Sequence, residues 1–217
     1  MEKLEKMADF FTARVEDYDQ HMQDNVYGTT GFHQKLAAEV PETTKSLLDL
    51  GCGTGLELEE IFKKLPDVQV TGVDLTQAML DKLKEKYPSK NVNLICGDYF
   101  VVNFGENKFE AAVSSETMHH FTKEKKIGLY NKIYNSLKAG GVYIECDYML
   151  ETQEEEDKLF AENEKIRKEN NIKTDEFFHF DTPLTISNQI DALKKAGFKQ
   201  VELIFQSGFT VILKAQK

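Results

Sequence analysis

Residues 46–62 read SLLDLGCGTGLELEEIF, and this stretch constrains the fold more than any other. A short apolar run leads straight into glycines at 51, 53 and 55, and an amphipathic helical pattern follows without a spacer. Glycine alone turns this sharply at no steric cost and lets the backbone approach another group closely. The helix that follows points its positive end at the same spot, which favours an anionic group there. A strand, a glycine loop and a helix in that order imply a parallel sheet with a ligand beyond its carboxyl edge.

The rest of the chain keeps this rhythm. Strands are expected at VQVTGVDL, VNLICGD, FEAAVSSE and VYIECDYM. Helices are expected at LELEEIFKKLP, stopped by Pro66, and at TQAMLDKLKEKYP, with Thr76 as N-cap and Pro88 as stop. A further helix, KEKKIGLYNKIYNSLKAGG, is expected to close on its glycines. After the last helix, TISNQIDALKKAGF, the strands KQVELIFQ and FTVILKA are joined at Ser207-Gly208, so one sheet edge should be an antiparallel hairpin. The predicted class is α/β, a doubly wound, mostly parallel seven-stranded Rossmann-like sheet with an antiparallel C-terminal hairpin and a helical cap.

The 217 residues, 41% hydrophobic and 29% charged, suit one soluble domain. Residues 1–45 read as a helical lid, 46–150 as the ligand-binding core, 151–182 as a cap insertion and 183–217 as the last helix and hairpin. Within the lid one long helix is expected, with Phe11, Val15, Tyr18 and Met22 on one face, then a loop at NVYGTTGF. The formal charge of −10 disfavours nucleic acid, since phosphate neutralisation needs clustered Lys and Arg. The absence of any long apolar run predicts no membrane span, and the charged N-terminus a cytoplasmic protein. Cys52, Cys96 and Cys146 lack C-x-x-C spacing and read as small buried hydrophobes. The acidic run 154–157 reads as a solvated helix face.

Which ligand sits on the glycines is only partly decided by spacing. A triphosphate loop needs Gly-Lys-[Ser/Thr], and no lysine follows Gly55. A dinucleotide loop places its third glycine where Leu56 stands. Asp74, roughly 20 residues on at the end of the second strand, suits two ribose hydroxyls of a dinucleotide or of another adenosine ligand.

LLDLGCGTGLEL, VTGVDLTQAML, CGDYF, VSSETMHHF and LKAGGVYI, in order and at the usual spacings, resemble the successive motifs of class I S-adenosylmethionine-dependent methyltransferases of small-molecule type. The resemblance covers about residues 46–149 and implies one methyltransferase domain over 1–217. It implies S-adenosylmethionine as cofactor, with its methionine part bordered by Gly51, Cys52, Gly53 and Gly55. Asp49 would meet the ammonium group, Asp74 the ribose, and Leu75 and Met79 the adenine faces. Asp98 would accept from the adenine amino group with Tyr99 beside it, and the Ser115 carbonyl would meet the methionine amine. Candidates for chemistry are Glu116, His119, His120, Asp147 and Tyr148, with His120 first, His119 second, and Tyr18 of the lid near the reacting methyl; no metal is expected. EFFHFDTP would line an acceptor pocket or pack within the cap. The function expected is methyl transfer to an O, N or S atom of a small acceptor. The alternatives are a cofactor-binding partner or sensor without turnover, or a relative that modifies the cofactor or tRNA.

Overall fold

The computed structural model describes residues 4–25, 29–173 and 176–217. In chain order the elements are α1 (Met7–Arg14), α2 (Tyr18–Asn25), α3 (Thr29–Glu39), β1 (Ser46–Leu50), α4 (Leu56–Lys64), β2 (Gln69–Asp74), α5 (Gln77–Lys86) and β3 (Val92–Cys96). There follow β4 (Phe109–Ser115), a 3₁₀ turn (Met118–His120), α6 (Lys123–Ser136), β5 (Leu137–Tyr148), α7 (Gln153–Glu169), α8 (Ile186–Lys195), β6 (Gln200–Ser207) and β7 (Thr210–Gln216).

The seven strands run in the order β3-β2-β1-β4-β5-β7-β6. The first five are parallel, while β7 runs antiparallel to both β5 and β6. From β1 the chain winds outward first to one side and then, through β4, to the other, so the switch point lies between β1 and β4. Leu50 pairs with Val73 and with Ser114, which brings the exits of β1, β2 and β4 to one edge. Along β1 the side chains alternate between faces, as a strand's period of two requires. Leu48 and Leu50 join a core that includes Leu129, Ile133 and Leu193, and Leu47 joins one that includes Leu36, Ile61 and Leu83.

Several expectations are corrected. The leading segment is two helices, interrupted at Val15–Asp17. Its first part is held to the cap by a bridge between Lys6 and Phe178, its second to α5 through ion pairs Glu16–Lys82 and Asp19–Lys86, both 2.7 Å. One straight helix does not serve both anchors. Gly31 lies inside α3 rather than in a loop, and residues 26–28 of that expected loop fall outside the described residues. In α3 the single Gly31 obscures the pattern of Phe32, Leu36 and Ala37, which with Val40 just beyond the helix belong to the core that includes Ile61 and Ile144. Helix α6 stops at Ser136, because Leu137 already pairs with Phe109, and Gly140 (φ 76°) sits in a bulged start of β5. The hairpin turns at Gly208 and Phe209.

Cys52 and Cys146 are buried, whereas Cys96, on edge strand β3, is exposed. Glu156, from the acidic run, is buried too, accepting from Thr185 N at 2.5 Å and from Asn188 Nδ2. No helix among the described residues is long and apolar enough to cross a membrane.

Candidate active site

The three loop glycines do different work. All have positive φ (67°, 48° and 74°). A Cβ on Gly51 would lie 2.3 Å from Thr117 Oγ1, and one on Gly55 3.0 Å from Leu83 Cγ, so both are shaped by packing. A Cβ on Gly53 would meet only Gly51 O, at 3.9 Å. Gly53 therefore faces the open cleft. The Cys52 side chain turns away, against Gly72, and offers the cleft only its backbone.

Two acids lie under this loop. Asp49 is fully buried in β1, and neither carboxyl oxygen has a hydrogen-bond partner. Glu57, in the first turn of α4, is buried and likewise leaves Oε1 unpartnered. Burial first, then the neighbouring Glu57 and Asp74, push the Asp49 carboxyl well above its ordinary range. Burying a charge without a partner is costly, so this arrangement suits a cationic group of a ligand.

Asp74 closes β2. Its Oδ1 accepts from Thr76 N and Thr76 Oγ1, both 2.8 Å, and its Oδ2 from Gly53 N at 3.0 Å. Thr76 occupies the expected N-cap position of α5, but its hydroxyl donates to Asp74 and does not cap the helix. Leu75 is half-buried and Met79 fully buried. Asp98 accepts from Phe100 N at 2.8 Å, and Tyr99 is buried with its hydroxyl 3.3 Å from Thr117 Oγ1.

Across the switch point, Ser115 Oγ lies 3.2 Å from His33 Nε2, and Glu116 adopts φ 51°, uncommon for a non-glycine residue. Burial first, then Asp147, raise the Glu116 carboxyl to about 7. The cleft between these walls is lined by Tyr18 and Met22 of the lid, by His33 of α3 and by Glu57, Ser115 and Glu116, among others. Burial and the nearby acids raise the Tyr18 phenol, which keeps it neutral.

The two histidines stand apart from that lining. His119 Nδ1 pairs with Asp147 Oδ1 at 2.5 Å, while Asp147 Oδ2 accepts from Met118 N at 2.6 Å. Burial opposes a charge on His119, but Asp147 outweighs it and lifts the imidazole to about 9. The His120 side chain is 3% exposed and faces Asp181 and His179. Burial, then the charge on His119, lower it to about 4. In the cap, His179 stacks on Phe10 at 3.6 Å, and Phe177 packs on Phe100 and Phe121, so EFFHFDTP joins lid to core. Tyr148 lies beside His119 with ring centroids 6.0 Å apart.

Glu57 and Asp181 were missed by sequence reasoning. Glu57 sits between two leucines directly after the loop, a placement that could have marked it; Asp181 is inside the aromatic cap motif and reads there as a turn residue.

A methyltransferase-domain family matches residues 47–141, from the first strand through the glycine loop to the start of the fifth. Residues 47–141 thus carry a methyltransferase domain of the S-adenosylmethionine-dependent class. The methyltransferase resembles carboxy-S-adenosyl-L-methionine synthase of Campylobacter lari, at 28% identity over 80% of this chain and 77% of that one. It also resembles malonyl-[acyl-carrier protein] O-methyltransferase of Priestia megaterium, at 30% identity over 59% of this chain and 43% of that one. The fold is shared with human N-acetylserotonin methyltransferase, solved with the cofactor, at TM-score 0.68, 18% identity and coverage of 95% and 56%. An S-adenosylmethionine-dependent methyltransferase of Thermotoga maritima matches at TM-score 0.68 and 16% identity, over 97% of this chain and all of that one.

The methyltransferase's own residues fit the cofactor. The unpartnered Asp49 and Glu57 oxygens suit an ammonium, Gly53 leaves space for close approach, and Asp74 Oδ2 retains one lone pair toward a ribose.

Proposed function

We propose that this methyltransferase acts on a small, neutral or cationic acceptor, an amine above all. Bound S-adenosylmethionine supplies an electrophilic methyl on a sulfonium. Asp49 and Glu57 hold its amino-acid end, Asp74 its ribose, Leu75 and Met79 the base, and Asp98 with Tyr99 the rim beyond, while Ser115 offers its carbonyl to the amine. In-line transfer then depends chiefly on alignment, which the lid residues Tyr18 and Met22 provide by closing over the cleft.

One observation carries the choice of acceptor. Among the described residues lining the cleft, Glu116 is the acid left over for an acceptor once Glu57 is given to the cofactor, and there is no lysine or arginine. Such walls repel a carboxylate or phosphate acceptor and attract an ammonium, and Glu116 stands where it can hold one. Tyr18, neutral and inside the cleft, acts here as a hydrogen-bonding wall rather than a base.

The test is incubation with S-adenosylmethionine and panels of amines, phenols, thiols and carboxylates, reading S-adenosylhomocysteine and product mass. Turnover confined to amines is expected; turnover confined to carboxylates would sink the reading. A second reading, favoured by the relatives named for carboxy-S-adenosylmethionine synthesis, is a reaction on the cofactor itself. It would appear in the same incubation as a heavier cofactor without methylated acceptor.

A further inference from the structure

Beyond the cofactor cleft, past the end of β4, three side-chain atoms converge on one point. Asp181 Oδ1 lies 3.2 Å from His120 Nδ1 and 3.6 Å from His119 Nε2, and all three lie within 4.8 Å of one another. His120 Nδ1 and Asp181 Oδ1 are buried and in ion-pair contact, but the contact lacks the alignment of a hydrogen bond. A buried polar atom without a well-formed hydrogen bond carries an uncompensated desolvation cost. Two such atoms aimed at one spot, on a side chain only 3% exposed in the case of His120, call for a third party.

We propose that His119, His120 and Asp181 bind one divalent transition-metal ion of the zinc class. Tetrahedral bonds of roughly 2.0–2.2 Å place neighbouring ligand atoms roughly 3.3–3.6 Å apart, from the geometry of such sites. The observed 3.2 and 3.6 Å fit that spacing. Two imidazoles and one carboxylate select such an ion over calcium or magnesium, which take oxygen ligands. His119 is already oriented for the task, since its Nδ1 is engaged by Asp147 and its Nε2 is turned toward the site. A carboxylate behind a metal-binding histidine is the usual support for the ring. Asp181 belongs to the cap, whereas both histidines follow β4 in the core, and Thr182 N already donates to His119 O at 2.7 Å. The ion would fasten cap to core. Three protein ligands leave a fourth position open, and His179 and Tyr148 lie beside the two histidine rings.

This site is independent of the acceptor's identity, and its test reads binding, not turnover. The full chain is stripped with a chelator, then titrated with Zn²⁺ by calorimetry and with Co²⁺ by visible absorption. One ion per chain is expected, with the intense bands of tetrahedral cobalt and a raised Tm on zinc addition. Asp181→Asn or His120→Ala should weaken binding by more than about 100-fold, and Asp147→Asn by about 10–100-fold. Metal-free melting curves check that the variants fold. Wild-type protein without tetrahedral cobalt bands overturns the proposal whatever the variants do, and so does a folded Asp181→Asn that binds zinc as tightly as wild type. S-adenosylhomocysteine titration of the same samples keeps this outcome separate from the cofactor site.

Discussion

Alanine at Gly51 and at Gly53 should produce opposite phenotypes although the glycines are two residues apart. Both positions have left-handed φ, which costs a non-glycine residue roughly 1–2 kcal/mol. At Gly51 the new methyl would also strike Thr117, with Oγ1 at 2.3 Å and Cβ at 2.8 Å, and overpacking of this kind costs about 1–3 kcal/mol. Gly51→Ala should therefore destabilise by about 2–5 kcal/mol in total. Gly53→Ala, facing open space, should lose only about 1–2 kcal/mol. In urea, with a slope of about 2 kcal/mol/M, the midpoint falls by about 1–2.5 M for Gly51→Ala and by less than about 1 M for Gly53→Ala. Calorimetry should show the reverse order of severity for the cofactor. The Gly53→Ala methyl enters ligand space and should weaken S-adenosylhomocysteine binding by at least about tenfold, as a clash of about 1.4 kcal/mol. Equal urea midpoints, or wild-type affinity in Gly53→Ala, would refute this division of labour.

Asp74→Ala removes a charged acceptor and should weaken cofactor binding by about 10–150-fold, from roughly 1.5–3 kcal/mol; unchanged affinity in a titration would take Asp74 out of the site. Tyr143→Phe deletes a buried hydroxyl that bonds Ser114 Oγ at 2.6 Å and Glu145 Oε2 at 3.1 Å, and should cost about 1–3 kcal/mol by denaturant melting. A neutral result would mean that Glu145 re-pairs without it. Glu110 accepts from Ser46 N at 2.7 Å and from Lys138, which lowers its carboxyl to about 2 despite partial burial. A depressed folded value stabilises at pH above the ordinary 4.5, and that contribution is lost as pH falls toward 2. Glu110→Gln should thus be less stable than wild type at pH 7, by about 1 kcal/mol, with the gap closing in acid; a constant gap across that window counts against the pairing.

The core of the fold was legible because its signals are local. Strand β1, the glycine loop and α4 follow one another without a spacer, and the terminal strands announce a hairpin by their closeness. The lid was less legible, because its break depends on two distant anchors, Phe178 in the cap and the lysines of α5. At the site, the acids that end strands could be placed by position: Asp49, Asp74 and Glu116 lie on one edge. Three-dimensional convergence could not. The orphaned Asp49–Glu57 surface and the meeting of Asp181 with the paired histidines depend on elements far apart in sequence. The expected first choice of base, His120, shows the difference, since its place after β4 could be read from the motif whereas the turn of its ring toward the cap could not.

The proposed function requires a sulfonium nucleoside on Gly53 with its ammonium toward Asp49. Calorimetric titration of the wild-type chain and of Asp49→Asn with S-adenosylhomocysteine tests it most directly. Saturable one-to-one binding by wild type, weakened by about 10-fold or more in a folded Asp49→Asn, is the predicted result. No binding by wild type, together with tight binding of a nicotinamide dinucleotide, would contradict it.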